Sequence, residues 1–395
     1  MNVGIFTDAY YPQINGVVIS TQILKEELER LGHHVTVITV SDPNILEDQE
    51  NVLRIRSVPF AVLPNFRVGQ LYSRSIKKKI KALNLDIIHT QTEFSLGIFA
   101  RIVAKQLNIP IVHTYHTMYE DYTHYFSPKV MDKAAKRVTQ KLSCYLCRTV
   151  DNVVVPTKKV EDKLVDYGFK KDINVVPTGV NLRPFESSRY DHKLISLTKK
   201  SLGLNADDKV VLFVGRLAKE KSIDTIIKSM SKVIMNNKKA KFLVIGDGPE
   251  LSNLKHLSNE LDLSDHVIFA GKKPWSEIGL YYQLADVFVS ASKSETQGLT
   301  FIEAMAAKKA VVAKYDTNLI GTIHDGLNGR FFYEDNELAD ILVDLLHDEL
   351  LNRYLANNAL KTAESFSGEK FGKSIESVYL NTLSYNINQQ ELAIR

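Results

Sequence analysis

The sequence predicts an α/β protein built from two doubly wound parallel-sheet domains in tandem. Three observations carry that expectation. Short apolar runs rich in Val and Ile alternate with segments of helical periodicity. The rhythm stops in a polar stretch at 187–209 and then restarts. The chain's 395 residues exceed what one hydrophobic core ordinarily serves and suit two domains of roughly 200 residues or fewer.

In the first half, VGIFTDA (3–9), HVTVITV (34–40), DIIHTQT (86–92), IPIVHTYH (109–116), NVVVPT (152–157) and INVVPTG (173–179) read as strands. They are mostly apolar throughout, as strands covered on both faces should be. Between the first two, Ile23, Leu24, Leu28 and Leu31 recur at helical spacing and Gly32 ends the helix. Strand, helix and strand make one βαβ unit. The second set is KVVLFVGR (209–216), AKFLVIGDG (240–248), HVIFAGK (266–272), DVFVSAS (286–292) and AVVAKY (310–315). The expected domains are 1–185 and 186–374, with a C-terminal helix over 375–395 returning to the first. Ligands of such folds lie beyond the carboxyl ends of the strands, and two domains facing across a cleft would hold one there.

The hydrophobic fraction of 44% is that of a soluble globular protein. The two cysteines, Cys144 and Cys147, form a C-x-x-C pair. No second pair exists to complete a zinc site, and LSCYLCR reads as helix with Leu142, Leu146 and both cysteines near one face. They are expected to be packing thiols in a reducing compartment. The N-terminus has no basic segment or long apolar stretch, and no run approaches the roughly 18 apolar residues that span a bilayer. The expected location is the cytosol, or the cytosolic face of a membrane. The net charge of +4 is unevenly placed: Asn51 to Leu85 contains Arg54, Arg56, Arg67, Arg74, Lys77, Lys78, Lys79 and Lys81 and no acid.

The turns after the strands carry the candidate chemistry. Gly16 opens a helix after DAYYPQIN, where an anion could meet the backbone and the helix N-terminus. The glycine could equally serve only the turn. Arg216 ends a strand and Lys221 follows just before Ser222, a candidate N-cap; both cations could neutralise a diphosphate or be solvated surface charges. Gly246 and Gly248 form a Gly-rich turn suited to close approach. In SETQGLTFIE, Glu295 lies before a helix and Glu303 about one turn inside it, with Gln297, Gly298, Leu299 and Thr300 between. Two carboxylates on one short segment do not flank a bond as a hydrolytic pair would, and they suit hydrogen bonds to sugar hydroxyls better. A surface glutamate plus a dipole-favoured glutamate is the plain alternative.

Taken in order, VPTGVNLRPF, VGRLAKEKS, GDGP and ETQGLTFIE resemble the motif set of glycosyltransferase family 4, from Gly4 to about residue 375. The resemblance implies a GT-B fold of two Rossmann-like domains and a retaining enzyme. FTDAYYPQINGVVIST, HTYHTMYEDYTHY, VPTKK, RLAKEKSID, KPWSEIGLYYQ and SETQGLT further resemble the branch that glucosylates the 3-hydroxyl of 1,2-diacylglycerol. That branch implies UDP-glucose as donor, diacylglycerol as acceptor, an α-linked glucolipid as product and no cofactor. By motif, Gly16 would meet the donor diphosphate, which Arg216 and Lys221 would hold. Glu303 would bind the ribose, and Glu295 the glucose beside the Gln297–Thr300 backbone. His116 would sit near the reacting sugar, and Lys273 in the donor site. Asp8 and Asp121 are candidate acceptor-side carboxylates. Many family members carry two glycines where this chain has Asn15-Gly16. No Asp-x-Asp triplet for a metal occurs, so cations and helix N-termini would supply the positive field. Another acceptor, another sugar nucleotide, or a sugar-nucleotide epimerase of the same fold are the alternatives.

A diacylglycerol acceptor lies in a bilayer. Over 71–83, Tyr72, Ile76, Ile80 and Leu83 fall on one helical face, while Arg74, Lys77, Lys78 and Lys81 lie mostly elsewhere. This is the pattern of a helix lying on an anionic interface, and also of a surface helix packed on a sheet. A second basic helix is expected over 129–142. No nucleic-acid reader module is present, and the oligomeric state is left open.

Overall fold

The structure, a computed structural model, describes all residues except 14, 44, 46–49, 61–62, 70–73, 117–131, 294, 296 and 395. The chain divides into two compact units, Met1–Gly179 with Gly368–Arg395, and Val180–Ser367. These divisions fall at 179/180 and 367/368, a few residues before the expected 185/186 and 374/375. Val180 and Ser367 form a parallel β-bridge, which holds both crossing points of the second unit together.

The amino-terminal unit runs β1 (Asn2–Phe6), α1 (Gly16–Arg30), β2 (His34–Val40), β3 (Val52–Ile55), β4 (Ser57–Phe60), β5 (Leu63–Gly69), α2 (Arg74–Ala82), β6 (Ile87–Thr90), α3 (Ser95–Leu107), β7 (Ile111–Thr114), α4 (Asp132–Arg148), β8 (Asn152–Val155), α5 (Lys158–Asp166) and β9 (Ile173–Val175). Seven strands form a parallel sheet in the order β3-β2-β1-β6-β7-β8-β9, and β4 and β5 form an antiparallel hairpin. Alternate strand residues enter opposite cores. Val3, Ile5, Val35 and Val37 meet Ile23, Leu24 and Leu28 of α1, while Phe6, Ile38 and Ile88 meet Phe99 and Val103 of α3. At the end of α1, Gly32 takes φ +87°, a left-handed conformation that glycine adopts without strain.

The second unit runs α6 (His192–Ser201), β10 (Lys209–Val214), α7 (Ile223–Asn236), β11 (Ala240–Ile245), α8 (Leu251–Glu260), β12 (Val267–Gly271), α9 (Trp275–Gln283), β13 (Val287–Ser290), α10 (Leu299–Ala306), β14 (Ala310–Lys314), β15 (Arg330–Phe332), α11 (Leu338–His347) and α12 (Glu349–Ala363). Its parallel sheet has the order β12-β11-β10-β13-β14-β15. One face is covered with α7, α8 and α11, the other with α9, α10 and α12. The chain then forms α13 (Gly368–Ile394), which packs on α1 in the first unit through Phe371, Ile375 and Tyr379.

Three expectations need correction. The basic stretch supplies strand β3 and the β4–β5 hairpin as well as a helix, and β15 also went unread. On α2, the proposed membrane-facing stripe turns inward: Ile80 is fully buried, and Ile76 and Leu83 pack against the same core. Burying these residues against the sheet removes the apolar face that an interfacial helix would insert. Tyr72 lies outside the described residues. Lys78, Lys79 and Lys81 are exposed and Lys77 is half-buried, so α2 presents charge to solvent. On α4, Cys144, Leu146 and Cys147 are buried but Leu142 is exposed. Both thiols are free, and burial pushes Cys147 up to about 12.

Because Ile80 has no exposed surface, Ile80→Ala should lower the unfolding free energy by about 2–5 kcal/mol. Chemical denaturation checks this; an effect within about 0.5 kcal/mol, as at surface sites, would remove α2 from the core.

Candidate functional site

The second unit brings together residues far apart in sequence. Strands β10 and β13 are parallel neighbours where the strand order reverses, so the loops leaving their carboxyl ends lie side by side. The β10 loop forms a 3-10 turn at Lys219–Lys221. Lys293 N–H in the β13 loop donates to the Glu220 carbonyl at 3.0 Å. Lys221 Nζ then stands 2.7 Å from Glu295 Oε1 and 3.3 Å from Ser292 Oγ. The Lys221 and Glu295 side chains are only 22% and 12% exposed, so the pair is largely withdrawn from water. The side-chain amide of Asn318 donates to the Glu295 carbonyl and fixes this loop. Arg216 is exposed and makes no ion pair among the described residues. Ser222 is the N-cap of α7, but its hydroxyl makes no cap hydrogen bond; its backbone takes φ +47°.

Glu295 and Glu303 lie on either side of a sharp entry into α10. Gly298 takes φ +71°, and a Cβ there would stand 2.6 Å from Leu319 Cδ2. Glycine is therefore required for the turn that starts the helix. Gln297 is buried before it, and Leu299 and Thr300 are the first helical residues. One turn on, Glu303 Oε2 accepts a 2.7 Å hydrogen bond from the Tyr282 hydroxyl. Burial raises Glu303 to about 7, and this hydrogen bond partly opposes the rise.

Gly246 and Gly248 have a reason to be glycine within the fold. A Cβ at 246 would lie 1.8 Å from the Gly215 carbonyl oxygen, and one at 248 would lie 2.3 Å from that of Leu217. The two turns are locked by Leu217 N–H to Asp247 O and Glu250 N–H to Leu217 O, both 3.0 Å. Their close backbone packing accounts for both glycines without a ligand. Lys273 Nζ lies 5.2 Å from the ring centre of Tyr281, a cation–π contact.

In the amino-terminal unit, Gly16 is the first residue of α1 and is exposed, with nothing within 4 Å of where its Cβ would be. The Asn15 side chain caps the helix by accepting from Val18 N–H at 3.0 Å. Asp8 is occupied within the fold. Its carboxylate accepts from the Ser95 hydroxyl, from Thr92 Oγ1 at 2.8 Å and from Leu96 N–H at 3.1 Å, tying the end of β1 to the start of α3. Burial raises its pKa against these hydrogen bonds. His116 follows β7, and its Nε2 is 2.6 Å from Gln91 Oε1. Burial lowers His116 to about 4, helped by His113 and opposed by Glu93, so the imidazole is neutral near pH 7. Asp121 lies outside the described residues. Arg74 opens α2 together with Lys77, Lys78 and Lys81.

Comparison with known proteins decides the family. The model "Glycosyltransferase Family 4" matches residues 14–183, and "Glycosyl transferases group 1" matches 195–362. The chain is 37% identical to the α-monoglucosyldiacylglycerol synthase of Acholeplasma laidlawii, over 98% of each chain. The chain is a family 4 glycosyltransferase. A protein of the same name from Streptococcus pneumoniae is 36% identical, over all of this chain and 88% of that relative. Among solved structures, Anabaena HepE in complex with UDP superposes with a TM-score of 0.77 at 19% identity, covering 96% of this chain and all of the other. HepE has also been solved with UDP-glucose. The shared architecture is the GT-B fold.

Three residues beside the transferase's expected site escaped sequence reasoning. Tyr282 sits in the KPWSEIGLYYQ motif, but its partner is 21 residues away across a strand. Asn318 and Gln91 carry no local signal, since each acts through a neighbouring strand end.

The two glycine positions should behave oppositely. Gly246→Ala should lower the thermal midpoint of the transferase by several degrees, because backbone atoms must move. Gly16→Ala should leave it unchanged within the roughly 0.5 kcal/mol typical of surface sites. Calorimetry on both variants checks the contrast.

Proposed function

We propose that this glycosyltransferase moves glucose from UDP-glucose to the 3-hydroxyl of 1,2-diacylglycerol, with retention, to give α-monoglucosyldiacylglycerol at a membrane surface. The observation that carries the reading is the end-to-end similarity to two synthases of that product. The nucleotide complexes of HepE, a protein of the same fold, support a UDP-sugar donor.

The geometry of the second unit suits the donor. As the bond between the glucose anomeric carbon and the diphosphate breaks, negative charge gathers on the leaving UDP. Arg216, exposed and unpaired among the described residues, is available to meet that charge. Lys221 has three N–H donors, so it can keep Glu295 and still reach a phosphate oxygen. Glu295, oriented by Lys221, would accept from glucose hydroxyls, and Glu303 from the ribose. The first-turn N–H groups at Leu299 and Thr300 add positive potential. In the first unit, exposed Gly16 leaves the α1 N-terminus open to an anion, and neutral His116 would hydrogen-bond a sugar hydroxyl rather than act as a cation.

Retention without a carboxylate nucleophile is accounted for by a front-side displacement, in which the acceptor oxygen bonds to the anomeric carbon on the face that UDP leaves. The acceptor proton passes to the departing phosphate. The Asp8 carboxylate, already bound to Ser95, Thr92 and Leu96, is better suited to holding the fold than to taking that proton.

No helix among the described residues is long and apolar enough to cross a membrane. With its apolar side in the core, α2 would attach peripherally through charge, each basic residue adding about 1 kcal/mol near an anionic surface.

Radiolabelled UDP-glucose with diacylglycerol in liposomes of varied anionic content tests the function. Label should enter a single-glucose lipid and rise with anionic content. Donor binding without lipid labelling would overturn the acceptor, and absence of donor binding would overturn the donor. Changing Lys77, Lys78 and Lys81 together to Glu should abolish sedimentation with anionic liposomes; retained sedimentation would refute attachment through α2.

A further inference from the structure

We infer that Tyr282 is a positioning residue for the donor, whose hydroxyl holds one oxygen of the Glu303 carboxylate and aims the group so that Oε1 stays open to the two ribose hydroxyls of a nucleotide-sugar. This rests on the donor reading given above.

The argument starts from the ring. Tyr282 is fully buried, held edge-on by Phe185 at 5.4 Å between ring centres and against Phe288 at 5.8 Å. A ring so enclosed cannot swing, so its hydroxyl is fixed in space. The hydroxyl has one proton and two acceptors in reach, Glu303 Oε2 at 2.7 Å and the Thr300 carbonyl at 3.3 Å. The nearer acceptor bears charge and takes the stronger hydrogen bond. Glu303 Oε1 makes no hydrogen bond among the described residues. One oxygen is thus tethered from below, and the other is left available for a ligand.

The packing does not explain the hydroxyl. Phenylalanine would fill the same space between Phe185 and Phe288. What the oxygen adds is the bond to Glu303. The elements packed against α10 are α12, β14 and the turn at Arg183–Phe185, and α9 reaches it through the Tyr282 hydroxyl. Of the described titratable groups on them, Tyr282 is the one that acts on Glu303. Among the described residues no cation offsets the burial that raises Glu303 to about 7, and the tyrosine hydrogen bond opposes it in part.

The sign follows. Removing a hydrogen bond to the charged form raises the carboxyl pKa further. A protonated Glu303 has lost an acceptor that a ribose diol needs. Donor affinity should fall as pH drops through the Glu303 pKa, and in Tyr282→Phe that fall should begin at higher pH. UDP-glucose is a suitable probe, since its diphosphate diester does not titrate in this range.

Two measurements test the inference. Calorimetric titration of UDP-glucose between pH 6 and 9 should give a midpoint about one unit higher in Tyr282→Phe than in the parent. Affinity at pH 7 should drop about fivefold, with near-equal affinities at pH 9. Glu303→Gln should abolish this pH dependence. An equal loss at every pH, or an unchanged midpoint, would overturn the inference. Carboxyl carbon NMR on the free protein, with Glu303→Gln as the assignment control, reads the same midpoint without donor. A carboxyl midpoint unmoved by Tyr282→Phe would overturn the positioning role even if the donor is wrong. A raised midpoint with no UDP-glucose binding in the parent would uphold Tyr282's hold on Glu303, overturn the ribose part of the inference, and fail the donor reading.

Discussion

The parallel pairing of β10 with β13 is the constraint on which the candidate donor site depends. It brings Lys221 within 2.7 Å of Glu295 although the two are 74 residues apart in the chain. Together the two loops form a largely buried ion pair, and the β10 loop also carries the exposed Arg216. Such a pair is costly to desolvate and gains by keeping its remaining donors and acceptors satisfied. Ser292 on the ammonium and Asn318 on the Glu295 backbone contribute to that.

The same logic orders the rest of the site. Gly246 and Gly248 let the β11 turn press against the β10 turn, so the base of the Arg216–Lys221 loop is rigid. Gly298 turns the chain into α10, and this separates Glu295, held by a cation, from Glu303, held by a phenol. Two carboxylates eight residues apart therefore have different environments. In the first unit, Asp8 plays a comparable part at the β1–β6 switch point by anchoring the start of α3.

Basic residues gather at 51–85 for reasons that the fold separates. Arg54 donates to the Val40 and Tyr11 carbonyls, and Arg67 to the Ser57 carbonyl. These hold the β3–β5 region together. Lys78, Lys79 and Lys81 of α2 remain in solvent, as does Arg56, and Lys77 is half-buried.

How much was legible depended on the range of the interaction. The eleven apolar runs, the helix stop at Gly32, the buried thiols and the ordered motifs are local properties, and the sequence by itself determined them along with the family and the two-sheet architecture. The same periodicity in α2 fits a membrane or a core equally well, because an amphipathic stripe states that a face must be buried and not by what. Only the tertiary structure, by placing Ile76 and Ile80 over the sheet, decided that. It also decided that Asp8 is occupied, that Gly246 answers to the Gly215 carbonyl, and that Glu303 leans on Tyr282. The first two are contacts between strand ends that adjoin in the sheet but not in the chain, and the third joins α9 to α10 across a strand; composition and spacing carry no record of which elements will adjoin.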